Sequence, residues 1–356
     1  MRLRRREYRG KNACVNTRCC ENFPRCESRI FGQIAILTGK HLGKNFAILY
    51  MLRQGSKTFS RNMQKRSFIH LLTIFSLFPL LSLPLFAIEL TVVTFNIRYD
   101  AKEDRGWRSW TERTKHVVAA VKAMNPDVMG VQEALPNQVA DLRQQLSDYD
   151  YFGVGRDDGK NKGEACGIFY RKSRFRADAE DGGTFWLSST PKVPGSKSWG
   201  NEIPRIATWL HLIEISSGKG LTLFNTHWDH QHQGSREKAA VLLRQRIEAR
   251  RHRLTPVILL GDFNAIETNP AILHLTTADP EKFPTTFIET FQAKNPNQKD
   301  RSTFHFWKNE RHGTNKIDHI FCSSPCEVKS ASIIYPPNGE HPPSDHFPVR
   351  CEVKWK

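Results

Sequence analysis

Six short motifs rich in acids, amides and imidazoles lie across the last three quarters of the chain: Phe95-Asn96-Ile97, Gln132-Glu133, Asn225-Thr226-His227, Gly261-Asp262-Phe263-Asn264, Ile317-Asp318-His319 and Ser344-Asp345-His346. Carboxylates and carboxamides supply hard oxygen donors, and imidazoles supply protons near neutral pH. Brought to one cleft, such a set can hold a hard divalent cation and activate a water for attack on phosphorus. No single motif carries this reading, because Asp-x-Asn and Asp-His also occur in turns and caps.

The segments before these residues explain how they would converge. Thr91 to Asn96 is an apolar, β-branched run ending in Asn96, and Pro126 to Glu133 ends in Glu133. Leu221 to Thr226 leads to His227, Pro256 to Gly261 leads to Asp262 and Asn264, and Lys316 to Cys322 carries Asp318. Each run reads as a buried strand with its polar residue at or near one end, where a sheet scaffold commonly places reactive groups. Asp262 and Asn264, two apart in an extended segment, share a face. Helical spacing appears at Thr111 to Met124, Gln138 to Leu146 and Ser235 to Arg253. Strands outnumber helices, which predicts a layered α/β domain.

With the motifs in this order, the region from Glu89 to Val353 resembles the endonuclease/exonuclease/phosphatase superfamily, which includes deoxyribonuclease I, abasic-site endonucleases, inositol polyphosphate 5-phosphatases, bacterial sphingomyelinases and deadenylases. Gly-Asp-Phe-Asn at 261–264 and Ser-Asp-His-Phe-Pro-Val at 344–349 are its most specific pieces. In texture the chain is similar to bacterial members with Thr-Phe-Asn-Ile-Arg near the start. The resemblance implies a four-layer α/β sandwich, two mixed β-sheets face to face with helices outside. It implies a metal site at Asn96, Glu133 and Asp345, holding Mg2+ or alternatively Mn2+. It implies that Asp262 orients water and that Asn264 donates to the phosphoryl oxygens. His346 would stand beside the reacting phosphate, oriented by Asp318, with His227 on the opposite side. Arg205, Asn225 and Asp229 are the expected substrate contacts, Asn225 also bracing His227. The implied activity is hydrolysis of a phosphoester in a nucleic acid, lipid or sugar phosphate, with a phosphodiester favoured. A phosphomonoesterase, a lipid phosphodiesterase and a non-catalytic binding module are the alternatives. Nothing calls for a protein partner, and a monomer is expected.

Composition must be partitioned before it is used. The net charge is +17, yet residues 1–62 hold 14 Lys and Arg against three Glu, so the region from Ile88 onward is close to neutral. Basicity therefore does not point to a nucleic-acid substrate. Met63-Gln-Lys-Arg followed by the uncharged run Phe68 to Ala87 has the layout of a signal peptide, which predicts export, with an uncleaved membrane anchor as the alternative. Residues 1–62 then read as a non-native or disordered extension. Cys14, Cys19, Cys20 and Cys26 lack metal-knuckle spacing. Residues 88–356 form the expected catalytic domain, in which Cys322 and Cys326 are placed for a loop staple and Cys166 and Cys351 for burial. The loop 155–164 is polar and glycine-rich, with no P-loop signature; it predicts a rim to the cleft, with Glu164 as a further candidate contact. The arginines of Ser235 to Arg253 would line a nucleic-acid groove if their helix faced the cleft.

Overall fold

Period-two alternation along the strands decides the architecture. The protein is described by a computed structural model covering residues 88–355; the expected extension and signal segment lie outside the described residues. The elements are β1 Ile88–Asn96, α1 Trp110–Met124, β2 Val128–Ala134, α2 Pro136–Gln145, β3 Tyr149–Phe152, β4 Ala165–Arg171, β5 Phe175–Trp186, β6 Ile206–Glu214, β7 Gly220–His227, α3 Gln233–Glu248, β8 Val257–Asp262, α4 Pro270–Thr276, β9 Phe287–Glu289, α5 Thr290–Lys294, β10 Asp318–Ser323, β11 Glu327–Ile333 and β12 Val349–Trp355. They build two six-stranded sheets, ordered β11-β12-β1-β2-β4-β3 and β5-β6-β7-β8-β10-β9.

One residue parity on each strand faces the other sheet, and the opposite parity faces helices. Leu90 and Val92 of β1 meet Leu221, Leu223, Ile258, Leu260 and Ile320 in the core between the sheets. Val93 and Phe95 pack outward against Val117 and Val121 of α1 and Leu142 of α2. On the second sheet, Val257 and Leu259 pack outward against Ala240 and Leu243 of α3 and Ile272 of α4. Helices over both outer faces make the four-layer α/β sandwich of mixed sheets. The sheets approach closely at Gly130, where a Cβ would collide with the side chains of Leu260 and Asn225.

The helices start and stop for local reasons. α1 ends at Asn125, which takes a left-handed conformation (φ 47°) ahead of Pro126. α2 opens with Pro136 in its first turn, and the Gln138 side chain accepts from the Leu135 N–H. α3 ends at Glu248 rather than continuing to Arg253, because the Arg250 guanidinium turns back to donate to the carbonyls of Ile247 (2.7 Å) and His252 (3.2 Å). Arg244 is likewise buried, donating to the carbonyls of Leu275 and Phe283. These arginines tie the fold together and form no groove beside the cleft. Cys322 and Cys326 are unlinked thiols, so the expected staple is absent; the Cys322 thiol is buried in the core between the sheets.

Candidate active site

Continuing the inward parity to the strand ends places the chemistry. β1 and β2 run parallel with Asn96 beside Gln132, and β7 and β8 run parallel with His227 beside Asp262. β10 runs antiparallel to β8 with Asp318 beside Asp262. Residues 96, 227, 262 and 318 extend the same faces that bury Leu90, Leu223, Leu260 and Ile320, and so meet between the sheets at one edge. The Ser344-Asp345-His346 segment enters from the loop before β12. It is fixed by Ser344 Oγ donating to the Asn96 carbonyl (2.7 Å) and by the Phe347 N–H donating to the Thr303 carbonyl (2.7 Å).

At the centre, Asp262 Oδ2 accepts from Asn96 Nδ2 (2.9 Å) and lies 3.5 Å from His227 Nε2 and 3.8 Å from His346 Nε2. His346 Nδ1 meets Asp318 Oδ2 at 2.9 Å. Asn96 joins the cluster through its NH2, which also donates to Glu133 Oε1 (3.0 Å), while its oxygen accepts the Arg98 N–H. Glu133 takes a left-handed backbone (φ 62°) and accepts the Tyr99 N–H at 3.1 Å, a sparsely populated conformation of the kind found at functional sites. Asn264 is also left-handed (φ 49°), its N–H donating to Asp262 Oδ1 (2.9 Å) and its side chain to the Trp228 carbonyl. Gly261 (φ 149°) cannot be replaced without cost, because a Cβ would strike the Thr226 carbonyl.

Charge follows from this packing. Burial alone would lower the His346 pKa, but Asp318, with Asp262 and Asp345, carries it up to about 10, so the ring is an imidazolium. His227 goes the other way: burial, with Arg205 and Arg156 nearby, holds it well below the ordinary imidazole value and therefore neutral. Burial pushes Asp262 up to about 7, with Asp318 adding repulsion. Asp345 is raised by burial and by Glu133, and Glu164 is raised to about 7 for the same two reasons. Crowded carboxyl groups that raise one another's pKa are a site whose repulsion a cation would relieve, and hard oxygen donors suit Mg2+ or Mn2+. Donor atoms of Glu133, His227 and Asp262 all lie within 4.8 Å of one another. The residues present fit a divalent metal, with Glu133 and Asp345 as oxygen donors.

The site opens into a cleft of about 760 Å3 lined by Glu133, His227, Asp262, Asn264, Asp345 and His346, with Arg98, Arg156, Glu164, Arg205 and His230 on its walls. Arg205, 4% exposed, meets His230 Nδ1 at 2.9 Å and lies 3.9 Å from Asp229 Oδ2. Asp229 Oδ1 accepts the N–H groups of Gln231 and His232, so it shapes this wall from behind. Asn225 lies one layer below the cleft, fully buried. Its NH2 donates to the carbonyls of Val131 (2.9 Å) and Gly167 (2.8 Å), and its oxygen accepts from Gln132 (2.7 Å). Those bonds cross from one sheet to the other and leave the amide nothing to offer a ligand.

Four residues escaped the motif reading. Arg156 pairs in bidentate fashion with Glu164 (2.6 Å and 2.6 Å), and Trp186 Nε1 holds the Arg156 carbonyl. Only the polarity of the 155–164 loop pointed to this pair. Arg98 (φ 56°) pairs with Asp104 (2.9 Å) and stands 4.0 Å from Asp345. Arg113 lies fully buried in the apolar stripe of α1 and donates to the carbonyls of Arg108, Ile97, Arg98 and Pro343, gathering the Asn96 and Asp345 loops. An arginine at an inward position of an amphipathic helix was a signal for it. His230 is exposed at the rim of the cleft, where its Nδ1 meets Arg205.

Two six-stranded sheets enclosing acids and imidazoles at one edge define a deoxyribonuclease I-like α/β sandwich with a cluster able to hold a divalent metal. The chain belongs to the Endonuclease/Exonuclease/phosphatase family, whose model matches residues 93–346. It is similar to an endonuclease/exonuclease/phosphatase from Bacteroides vulgatus, at 32% identity and a TM-score of 0.69 over 76% of this chain and 100% of that one. It is also similar to a mannosyl-6-phosphatase from Bacteroides thetaiotaomicron, at 33% identity and a TM-score of 0.67 over 74% and 99%. A curated uncharacterized protein of Acanthamoeba polyphaga mimivirus is 30% identical over 118 residues, which are 29% of this chain and 17% of that protein.

Proposed function

We propose that the protein is a divalent-metal-dependent phosphomonoesterase acting on a small hydroxylated alcohol phosphate of the sugar phosphate class. The observation that carries this reading is the cationic and polar wall inside the cleft, formed by Arg156 paired to Glu164 and by Arg205 against His230. Planar guanidiniums suit phosphate oxygens, and a carboxylate beside them suits sugar hydroxyls. The 33% identity to a mannosyl-6-phosphatase supports the same substrate class. The diester favoured by the motifs alone would need, for a nucleic acid, a basic track along the cleft. Arg244 and Arg250, which the basic helical segment could have offered for one, are buried and spent on backbone carbonyls.

In this reading Asp262 aligns the attacking water and accepts its proton, a task suited to a carboxylate whose pKa lies near neutrality. The His346 imidazolium donates to a phosphoryl oxygen as charge develops, and Asp318 keeps it protonated and oriented. Asn264 presents its amide to the same oxygens. His227, neutral and beside Asp262 on the neighbouring strand, has one N–H to give to the departing oxygen. Glu133 and Asp345 would hold the metal, which supplies neutralisation of the phosphate and polarisation of the P–O bond when bound.

The test is hydrolysis by the purified full-length protein of hexose 6-phosphates, p-nitrophenyl phosphate, bis(p-nitrophenyl) phosphate, sphingomyelin, DNA and RNA, with Mg2+ or EDTA. EDTA-sensitive release of phosphate from the hexose phosphates, lost in Asp262→Ala, is expected. Cleavage of the diester or the nucleic acids in preference to every monoester would overturn the substrate class.

A further inference from the structure

We infer that a second metal site, for a zinc-class cation, lies on the outer face of the second sheet, formed by Asp178, Asp181, His211 and His252. It stands apart from the cleft. His211 lies between the inward-facing Leu210 and Leu212 of β6, and so points away from the core. Its partner Thr222 is near the start of β7, five residues before His227, which puts roughly 17 Å of strand between the two sites.

The local chain is built for the cluster. β5 pairs with β6 in regular register up to Ala177 and again from Gly182, and residues 178–181 bulge out between them opposite His211. Bulges re-aim side chains, and this one carries both aspartates to the same place. His252 arrives from the turn after α3 and stacks on His211, ring centroids 4.0 Å apart at 17°. Its Nε2 is 3.4 Å from Asp178 Oδ2 and 3.7 Å from Asp181 Oδ2. Ligand atoms of Asp181, His211 and His252 lie within 4.8 Å of one another.

These separations are those of a metal's ligands rather than of partners bonded to each other. Zinc–ligand distances of about 2.0–2.2 Å place the ligands of a tetrahedral ion about 3.4 Å apart. The outer partners are also in place. Trp209 Nε1 donates to Asp181 Oδ1 (3.1 Å), the Glu180 N–H donates to Asp178 Oδ1 (3.1 Å), and Thr222 Oγ1 meets His211 Nδ1 (3.0 Å). Each carboxylate therefore has one oxygen fixed and its other oxygen turned to the cluster, as ligands of a metal are held. Asp181 is 8% exposed, and its Oδ2 is buried without a hydrogen-bond partner, as is His252 Nε2. A buried carboxylate oxygen left unpaired is costly unless something fills the position. Two imidazoles and two carboxylates are the ligand set of Zn2+ rather than of Mg2+, whose preference is for oxygen.

Zinc retained after gel filtration is measured by elemental analysis for the full-length protein and for His252→Gln and Asp178→Asn, alongside the melting temperature with and without ZnCl2. Neither substitution touches the cleft. The wild type should retain one more equivalent of zinc than either variant, and zinc should raise its melting temperature by several degrees more than theirs. Metal-free melting temperatures should agree. Equal zinc content in all three proteins would overturn the inference. So would variants that are destabilised without metal and show the same zinc response as the wild type, which is the behaviour of a plain His252 ion pair.

Discussion

Replacing Asp318 with Asn tests the charge logic of the site at one atom. Asp318 is 1% exposed, and its Oδ2 lies 2.9 Å from His346 Nδ1. Burial disfavours the imidazolium, and Asp318 is the largest of the groups that nonetheless carry His346 up to about 10. Returning the ring to the ordinary imidazole value of about 6.5 would forfeit on the order of 5 kcal/mol of preference for the charged form, at about 1.4 kcal/mol per pKa unit. The rate loss should be smaller, because a positioned proton donor commonly contributes about 10²- to 10⁴-fold. Steady-state kinetics with Mg2+ at pH 7 should show kcat reduced within that range and KM within a few-fold of wild type, since the substrate wall is untouched. The variant's activity should fall as pH rises through the lowered His346 pKa, a decline that the wild type does not show until about pH 10. The stability sign is also fixed. A raised histidine pKa stabilises the fold fully below about pH 6.5, and that contribution disappears as pH rises through about 10, so the variant should lack this alkaline decline. A variant with wild-type kcat and an unchanged pH profile would refute the role given to this pair.

Asp262→Ala should abolish turnover while leaving the circular dichroism spectrum unchanged, and retained activity would remove Asp262 from the mechanism. Gly261→Ala combines a forbidden backbone angle with a collision at the Thr226 carbonyl, and should destabilise the fold by roughly 2–4 kcal/mol in urea titrations; a neutral result would contradict the strand geometry. Lys316 is wholly buried, donating to Glu289 Oε1 (2.8 Å) and to the Asp318 carbonyl (3.0 Å). Lys316→Met should cost about 3–5 kcal/mol by removing the largest of the groups that offset the buried Glu289 charge. Burial would raise Glu289, but Lys316 and His319 bring it down to about 2, so its stabilisation is complete above the ordinary glutamate range near pH 4.5 and fades as pH falls toward 2. Melting temperatures across that window should fall more steeply for the wild type than for the Lys316→Met variant.

The parts of the site legible in the sequence are those that a strand delivers. Asn96, His227, Asp262 and Asp318 each follow or open an apolar run, and period two fixes the face on which they emerge. The sandwich itself was implied by the same runs once they were matched to a family order. What stayed hidden depends on contacts that no local pattern encodes. Glu164 was expected at the rim, but its partner Arg156 was not: the two are eight residues apart in a loop, and the pairing of Gly155 with Ala165 brings both to the cleft wall. Asn225 belongs to the motif yet serves the scaffold, because its parity is that of the core and Gly130 leaves room for it there. The long basic helix read from residue 235 to 253 stops early, with Arg250 folded back onto the Ile247 carbonyl of its last turn and onto the His252 carbonyl beyond it.

The layer holding Asn225 explains how two separate sheets can make one site. Glu133 and Asn96 belong to the first sheet, and His227, Asp262 and Asp318 to the second. Apolar packing between sheets is tolerant of small slides, since it has no direction. Hydrogen bonds have direction, and the bonds of Asn225 to Val131, Gly167 and Gln132 all pass from the second sheet to the first directly beneath the site. Fully satisfied, a buried polar group of this kind rigidifies its surroundings. The fixed contact between Asn96 and Asp262 above, at 2.9 Å, is then a consequence of the layer below it.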